Sequence, residues 1–220
     1  MLYAKPTPKG SGIEFWGDYY DLTSLYNTFR ALSYSEFTNP ETYARNEQLL
    51  SIIPFEIRHA YQGDLSVNNK IDNGNAKTTY YGFKTDWITL LYSISALRYN
   101  AGLQPTDELI QSNLFLLEYC TRIALHDYDA MGADVIETYI NNKINVSTKY
   151  LYHIHQHAVR LFFCYKPGVK RFRLIPNILN RLMPGTYLDS LIKNIDESAK
   201  ECNCDIRELE IDDDYDYVIL

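Results

Sequence analysis

Residues 12–34 read GIEFWGDYYDLTSLYNTFRALSY, and residues 79–99 read TYYGFKTDWITLLYSISALRY. The second stretch repeats the plan of the first 65 positions later. Gly17, Asp21, Leu25, Ala31, Leu32 and Tyr34 correspond to Gly82, Asp86, Leu90, Ala96, Leu97 and Tyr99. Each stretch reads as a short aromatic strand, a glycine turn, an aspartate cap and an amphipathic helix. Phe15-Trp16 and Tyr80-Tyr81 suit a pleated, half-buried strand. Leu22, Leu25, Tyr26, Phe29 and Leu32 fall at helical spacing, and Trp87, Leu90, Leu91, Ile94 and Leu97 occupy the same phase. Asp21 and Asp86 stand where a carboxylate accepts from the first free N–H groups of a helix, worth about 1 kcal/mol each. The echo reads either as a duplication or as two helices that share packing chemistry.

Working outward, residues 1–11 carry two prolines and a Gly-Ser, with Leu2 to Ala4 placed to pair on a sheet edge. Asn39-Pro40 opens a helix that Pro54 interrupts or restarts and Gly63 ends. Residues 64–78, DLSVNNKIDNGNAKT, are strongly polar and contain the turn signal Asn73-Gly74; they read as a hairpin tip or a mobile loop. Asp107 to about Tyr128 is the longest expected helix. Leu109, Ile110, Leu114, Leu116, Leu117, Cys120, Ile123 and Ala124 cover more than half its circumference, which marks a central, mostly buried helix. A shorter helix follows over 134–144. The next, 149–165, is capped by Ser147 or Thr148 and ended by Pro167-Gly168. Residues 169–175 read as a short strand or a loop, 176–183 as a short helix, and 187–200 as an amphipathic one. The fold class expected is α+β: a helix-dominated single domain over 1–204 with a small sheet and two strand-turn-helix units (12–34 and 79–99), followed by an acidic segment over 205–220.

The chain has 220 residues, 46% of them hydrophobic and 20 of them tyrosine, with a net charge of −7. Such a composition is globular. Tyrosine brings a large ring with a polar tip, suited to wet contact surfaces, although codon bias equally raises Tyr, Asn and Ile. The acidity is concentrated in Asp205, Glu208, Glu210, Asp212, Asp213, Asp214 and Asp216. The body is therefore close to neutral, and generic nucleic-acid binding, which needs excess Lys and Arg, is disfavoured. No apolar run reaches the length of a membrane span, no secretory pattern follows Met1, and the cysteines form no disulfide framework, so the reading is cytoplasmic. Cys120 and Cys164 read as small buried hydrophobes.

Three features carry candidate chemistry. In His153-Ile154-His155-Gln156-His157, a helix places His153 and His157 one turn apart on one face, a geometry that chelates a divalent metal; His126, Asp127 or Glu118 would supply a third ligand. The plain alternative is ordinary surface or core-edge histidines. Cys202-Asn203-Cys204 is shorter than zinc spacing and has no second pair. Lys166, Lys170, Arg171 and Arg173 with Phe172 make a small basic patch, for phosphate or for the acidic tail. Walker, dinucleotide-fingerprint, zincin and nucleophile-elbow motifs are absent.

GIEFWGDYYDLTSLYNTF, FEIRHAYQG and YYGFKTDWITLLYSISALRY resemble an uncharacterised bacterial protein family, a domain of unknown function, over the first 125 residues or so. The resemblance implies a bacterial cytosolic setting and no activity, cofactor or site residue. The functional expectation is a non-enzymatic protein-interaction module, inhibitor or immunity-like. It would present an acidic, Tyr-rich surface (Asp212, Asp213, Asp214, Tyr215, Asp216, Tyr217) to a basic protein partner. The competing expectation is a metal-assisted enzyme using His153 and His157. A homodimer is compatible with either.

Overall fold

The computed structural model describes residues 1–33, 40–72, 76–140 and 143–209. Four antiparallel strands form one sheet: β1 (Tyr3–Pro6), β2 (Gly12–Gly17), β3 (Ser66–Asp72) and β4 (Ala76–Asp86), in the order β1-β2-β4-β3. The lead-in pairs on a sheet edge as expected, Ala4 opposite Phe15. The polar stretch 64–78 resolves into the β3–β4 hairpin, and Asn73-Gly74 lies between the two strands, outside the described residues.

Alternation gives the sheet two unlike faces. On one, Ile13, Phe15 and Phe83 are fully buried, and the Phe15 and Phe83 rings stack at 5.3 Å. On the other, Glu14 takes an ion pair from Lys5 at 2.9 Å, and Trp16 lies opposite Gly82 beneath the Lys5 ammonium. Gly82 is therefore a mid-strand residue and not a turn. A Cβ there would stand 2.8 Å from the Trp16 indole, so glycine makes room for the ring.

Four helices contact the sheet: α1 (Tyr19–Ser33), α2 (Pro40–Gln62), α3 (Trp87–Ala101) and α4 (Glu108–Ile136). A second layer follows: α5 (Leu151–Phe163) packs on α2 and α3, α6 (Val169–Phe172) and α7 (Ile175–Arg181) pack on α4, and α8 (Tyr187–Cys202) is the last α-helix of the described chain. Asp86 caps α3 as expected, its Oδ1 accepting from the Thr89 N–H at 2.8 Å. The cap of α1 differs. Asp18 accepts from the Asp21 N–H at 2.9 Å, and Asp21 reaches back to the Asp18 N–H at 3.1 Å, a reciprocal capping box. The two 15-residue helices thus start 68 positions apart, one helical turn out of step with the sequence echo. The strand-helix units exist, but only the first has its glycine at the strand end.

α2 runs through Pro54 without a break and ends at Gly63, whose φ of 87° turns the chain left-handed. There the Asp64 N–H bonds the His59 carbonyl at 3.0 Å. Asn39, the expected cap of α2, is outside the described residues.

The central helix is α3 rather than α4. Nearly every side chain from Trp87 to Leu97 is buried, the polar ones being small Ser and Thr, and Asn100 donates to the Leu32 carbonyl at 2.7 Å. α4 buries Leu114, Leu117, Cys120, Ala124 and Leu125 on one side and holds large apolar groups in solvent on the other. It also bends. Asp129 leaves helical geometry (φ −160°, ψ 100°), and its carboxylate accepts from the Gly132 N–H at 3.0 Å. The first segment thus stops where the sequence placed its end, near Tyr128. The second runs from 130 to 136 and passes into a 3₁₀ turn over Glu137–Tyr139, in place of the expected helix over 134–144.

Residues 169–172 form the short helix α6, not a strand, with Arg171 and Phe172 fully buried. α8 ends at Asn203 (φ 50°). Cys120 is buried, but Cys164 is exposed, against expectation, because it follows the last turn of α5. One apolar cluster extends from Leu2 to Ile195 through the sheet and the helices. Among the described residues no helix is long and apolar enough to cross a membrane.

Candidate functional site

α5 carries the three histidines to three different surroundings. His153 is 2% exposed, and its Nε2 lies 3.1 Å from the Leu209 carbonyl. A carbonyl only accepts, so this nitrogen carries the proton and does not face an ion. His157, one turn on, stacks on Tyr187 of α8 at 5.6 Å. Burial pulls its basicity down, and the Arg160 and Arg181 charges add to the effect. A dication between His153 and His157 would sit in the field of two guanidinium groups, those of Arg160 and Arg181. The cleft flanking this corner, about 520 Å³, is lined by Tyr165, Asn177, Arg181, Thr186 and Tyr187.

His155 faces the core. Its Nε2 is 2.8 Å from Thr89 Oγ1, which in turn is 2.5 Å from Asp86 Oδ2. With the imidazole neutral, Nε2–H donates to the hydroxyl and the hydroxyl donates to the carboxylate. Burial pushes the imidazole down to about 3, and burial pushes the Asp86 carboxyl up. The His155 Nδ1 has no hydrogen-bond partner among the described residues. The network ties α5 to the capped start of α3.

The basic patch does not assemble. Arg171 is fully buried, and Arg173 gives both of its outer contacts to Asp129 at 2.7 Å. Cys202 is exposed and Cys204 half-buried, at the end of α8. The tail residues Asp212, Asp213, Asp214, Tyr215, Asp216 and Tyr217 lie outside the described residues.

What the sequence did not reveal is the outer face of α4. Phe115, Tyr119 and Ile123, spaced at i, i+4 and i+8, form a ridge with exposures of 62%, 61% and 43%. Leu109 is exposed nearer the helix start, and Met131 and Val135 lie exposed beyond the bend. The ridge is braced from behind. The Arg98 guanidinium sits 4.4 Å from the Phe115 ring centre and donates through Nε to Glu118, which also pairs with Arg122 at 3.7 Å. Glu118 is thus spent inside the helix surface. The exposed acidic positions of α4, Glu108, Asp127 and Asp134, stand toward the two ends of the helix. The sequence signal was the width of the apolar stripe, more than one packing partner can cover.

The bend brings together a second set. His126, Asp134 and Glu137 place one ligand atom each within 4.8 Å of one another, the one His/Cys/Asp/Glu group of this kind among the described residues. Of these only His126 was a candidate from sequence. Asp127 is exposed, and Glu118 is taken by the two arginines.

No curated protein and no solved structure matches the chain. A family model does, over residues 2–219, and it is described as a domain of unknown function. The match spans every strand and helix described above, and by it the chain belongs to the DUF6904 family.

Proposed function

We propose that this protein is a non-enzymatic interaction module, inhibitor or immunity-like, that docks a basic protein partner on the outer face of α4. The observation that carries the reading is the exposed ridge Phe115, Tyr119 and Ile123. Large aromatic and branched side chains held in solvent at helical spacing are the usual anchors of helix recognition. The Arg98 stack keeps Phe115 in one position before binding, which lowers the ordering cost. Carboxylates at Glu108, Asp127 and Asp134 favour a partner whose apolar centre is rimmed by Lys and Arg. A bacterial cytosolic setting rests on the resemblance of the N-terminal segments. The acidic tail over 205–220 would add to the same electrostatic attraction.

The probe is a synthetic amphipathic helix with leucines on one face and flanking lysines, titrated into isotope-labelled full-length protein. The expected result is amide shift changes confined to α4 and its neighbours. Affinity should weaken with salt and fall at least tenfold in Tyr119→Asp/Ile123→Asp at unchanged melting temperature. Shifts elsewhere, or equal binding by the variant, would remove the reading. Sedimentation of the protein alone separates the competing occupant. A dimer that the same variant dissociates would assign the face to a second copy of this chain.

A further inference from the structure

We propose that the bend in α4 builds a divalent-metal site from His126, Asp134 and Glu137. In a straight helix, residues eleven apart are separated by about 16 Å along the axis, beyond the combined reach of two side chains. Yet His126 Nε2 stands 3.3 Å from Glu137 Oε2. The break at Asp129 makes this meeting possible. Asp129 is fixed from both sides, by the Gly132 N–H of the second segment and by a two-pronged bond from Arg173. The corner is therefore set by groups outside the ligand set.

The donors suit a borderline cation. One imidazole nitrogen and two carboxylate oxygens favour Zn²⁺ or Mn²⁺ over thiophilic ions. All three atoms lie within 4.8 Å of one another. Ligands around one Zn²⁺ at about 2.0–2.2 Å stand about 3–4 Å apart, so side-chain torsions close the set without moving the backbone. His126 and Glu137 keep 39% and 34% side-chain exposure, which leaves the corner open for ion entry and for water as a fourth ligand. Three protein ligands with an open position form a site able to bind a further donor from solvent or from a partner. The ligand set shares Asp134 with the rim of the α4 face and has no residue in common with the ridge side chains Phe115, Tyr119 and Ile123 or with the His153/His157 pair.

The test is equilibrium dialysis and calorimetry of the full-length, chelator-stripped protein with ZnSO₄, repeated with MnCl₂. The expected result is one equivalent of Zn²⁺. Its affinity should drop at least tenfold in His126→Ala and in Glu137→Gln and stay unchanged in His153→Ala/His157→Ala. Circular dichroism confirms that each variant is folded, and Glu137→Gln, a part-exposed isosteric change, keeps the test valid if the alanine variant is not. The Co²⁺ absorption spectrum should change in His126→Ala. Binding that survives both single variants overturns the assignment, as does binding lost only in the His153/His157 variant or no uptake of either ion by the unaltered chain.

Discussion

His155 offers a direct measure of how a buried polar group responds to pH. It is 4% exposed and hydrogen-bonds Thr89 through Nε2. Burial takes its basicity from 6.5 down to about 3. In the unfolded chain the ring takes a proton as pH falls through 6.5; in the folded chain it does so only near 3. Stability from this group is therefore full above pH 6.5 and is lost progressively between 6.5 and 3. At pH 5 the loss relative to pH 8 is about 2 kcal/mol. Asp86, at the other end of the chain through Thr89, acts in the opposite sense. Its raised carboxyl takes a proton in the folded state first, so it adds stability as pH falls toward 3.8. His155→Gln keeps Asp86 and removes only the imidazole. Urea unfolding at pH 8 and pH 5 should show the variant losing about 2 kcal/mol less than the unaltered protein. Equal losses would mean that the ring takes up its proton in the folded state at an ordinary pH.

The bend in α4 is where local chemistry decides the shape of an element. Asp129 serves two roles, as cap for the segment 130–136 and as partner of Arg173. Arg173 holds its carboxyl below the ordinary range. Asp129→Ala removes both and should cost about 1–2 kcal/mol, the scale of a lost helix cap. Asp129→Asn keeps a capping oxygen and gives up the ion pair, which is part-exposed and worth about 0–1 kcal/mol. Denaturant midpoints should therefore rank the unaltered protein above the Asn variant and the Asn variant above the Ala variant. A ranking with Asn and Ala equal would place the stabilisation in the Arg173 pair instead.

The same helix explains what was legible in the sequence. Its start at Asp107, the end of its first segment near Tyr128 and the strand and helix at residues 12–33 were readable, because start signals and periodicity are local properties. Burial of α4 was not, because Phe115 and Leu114 are equally apolar and only packing decides which one meets water. Gly82 misled for a related reason. A glycine signals a turn or a close approach alike, and the approaching Trp16 belongs to another strand. The meeting of His126 with Glu137 depends on an axis bend, which no spacing rule along a straight helix contains. Residues 169–175, VKRFRLI, were ambiguous because α6 is a single turn, too short for periodicity to speak.

At the scale of the whole molecule, Arg171 joins the two ends of the fold. Its guanidinium donates through Nη2 to Ser11, 160 residues away, and through Nη1 to the Tyr165 carbonyl at 3.5 Å. It lies 4.7 Å from the Phe162 ring centre and 5.2 Å from that of Phe163. Burial lowers its basicity while the Tyr128 and Asp86 charges raise it. Arginine remains charged under such shifts, so the β1–β2 turn and the helices beyond residue 150 share one buried cation. Arg171→Met leaves the Ser11 hydroxyl and the Tyr165 carbonyl without their charged donor and should cost about 1–3 kcal/mol. Arg171→Lys keeps the charge but loses the fork and the ring contacts, and should fall between. Two probes then test whether the ends unfold together. Trp16 and Trp87 are 7% and 0% exposed and report on the sheet and α3, while far-UV circular dichroism also reports on α5 to α8. Because one apolar cluster spans both regions, urea transitions by fluorescence and by circular dichroism should coincide in the unaltered protein. In Arg171→Met both should move to lower urea together. If the circular dichroism transition alone moved, the C-terminal helices would be a separate folding unit, and the contact between Arg171 and Ser11 a local latch rather than part of a shared core.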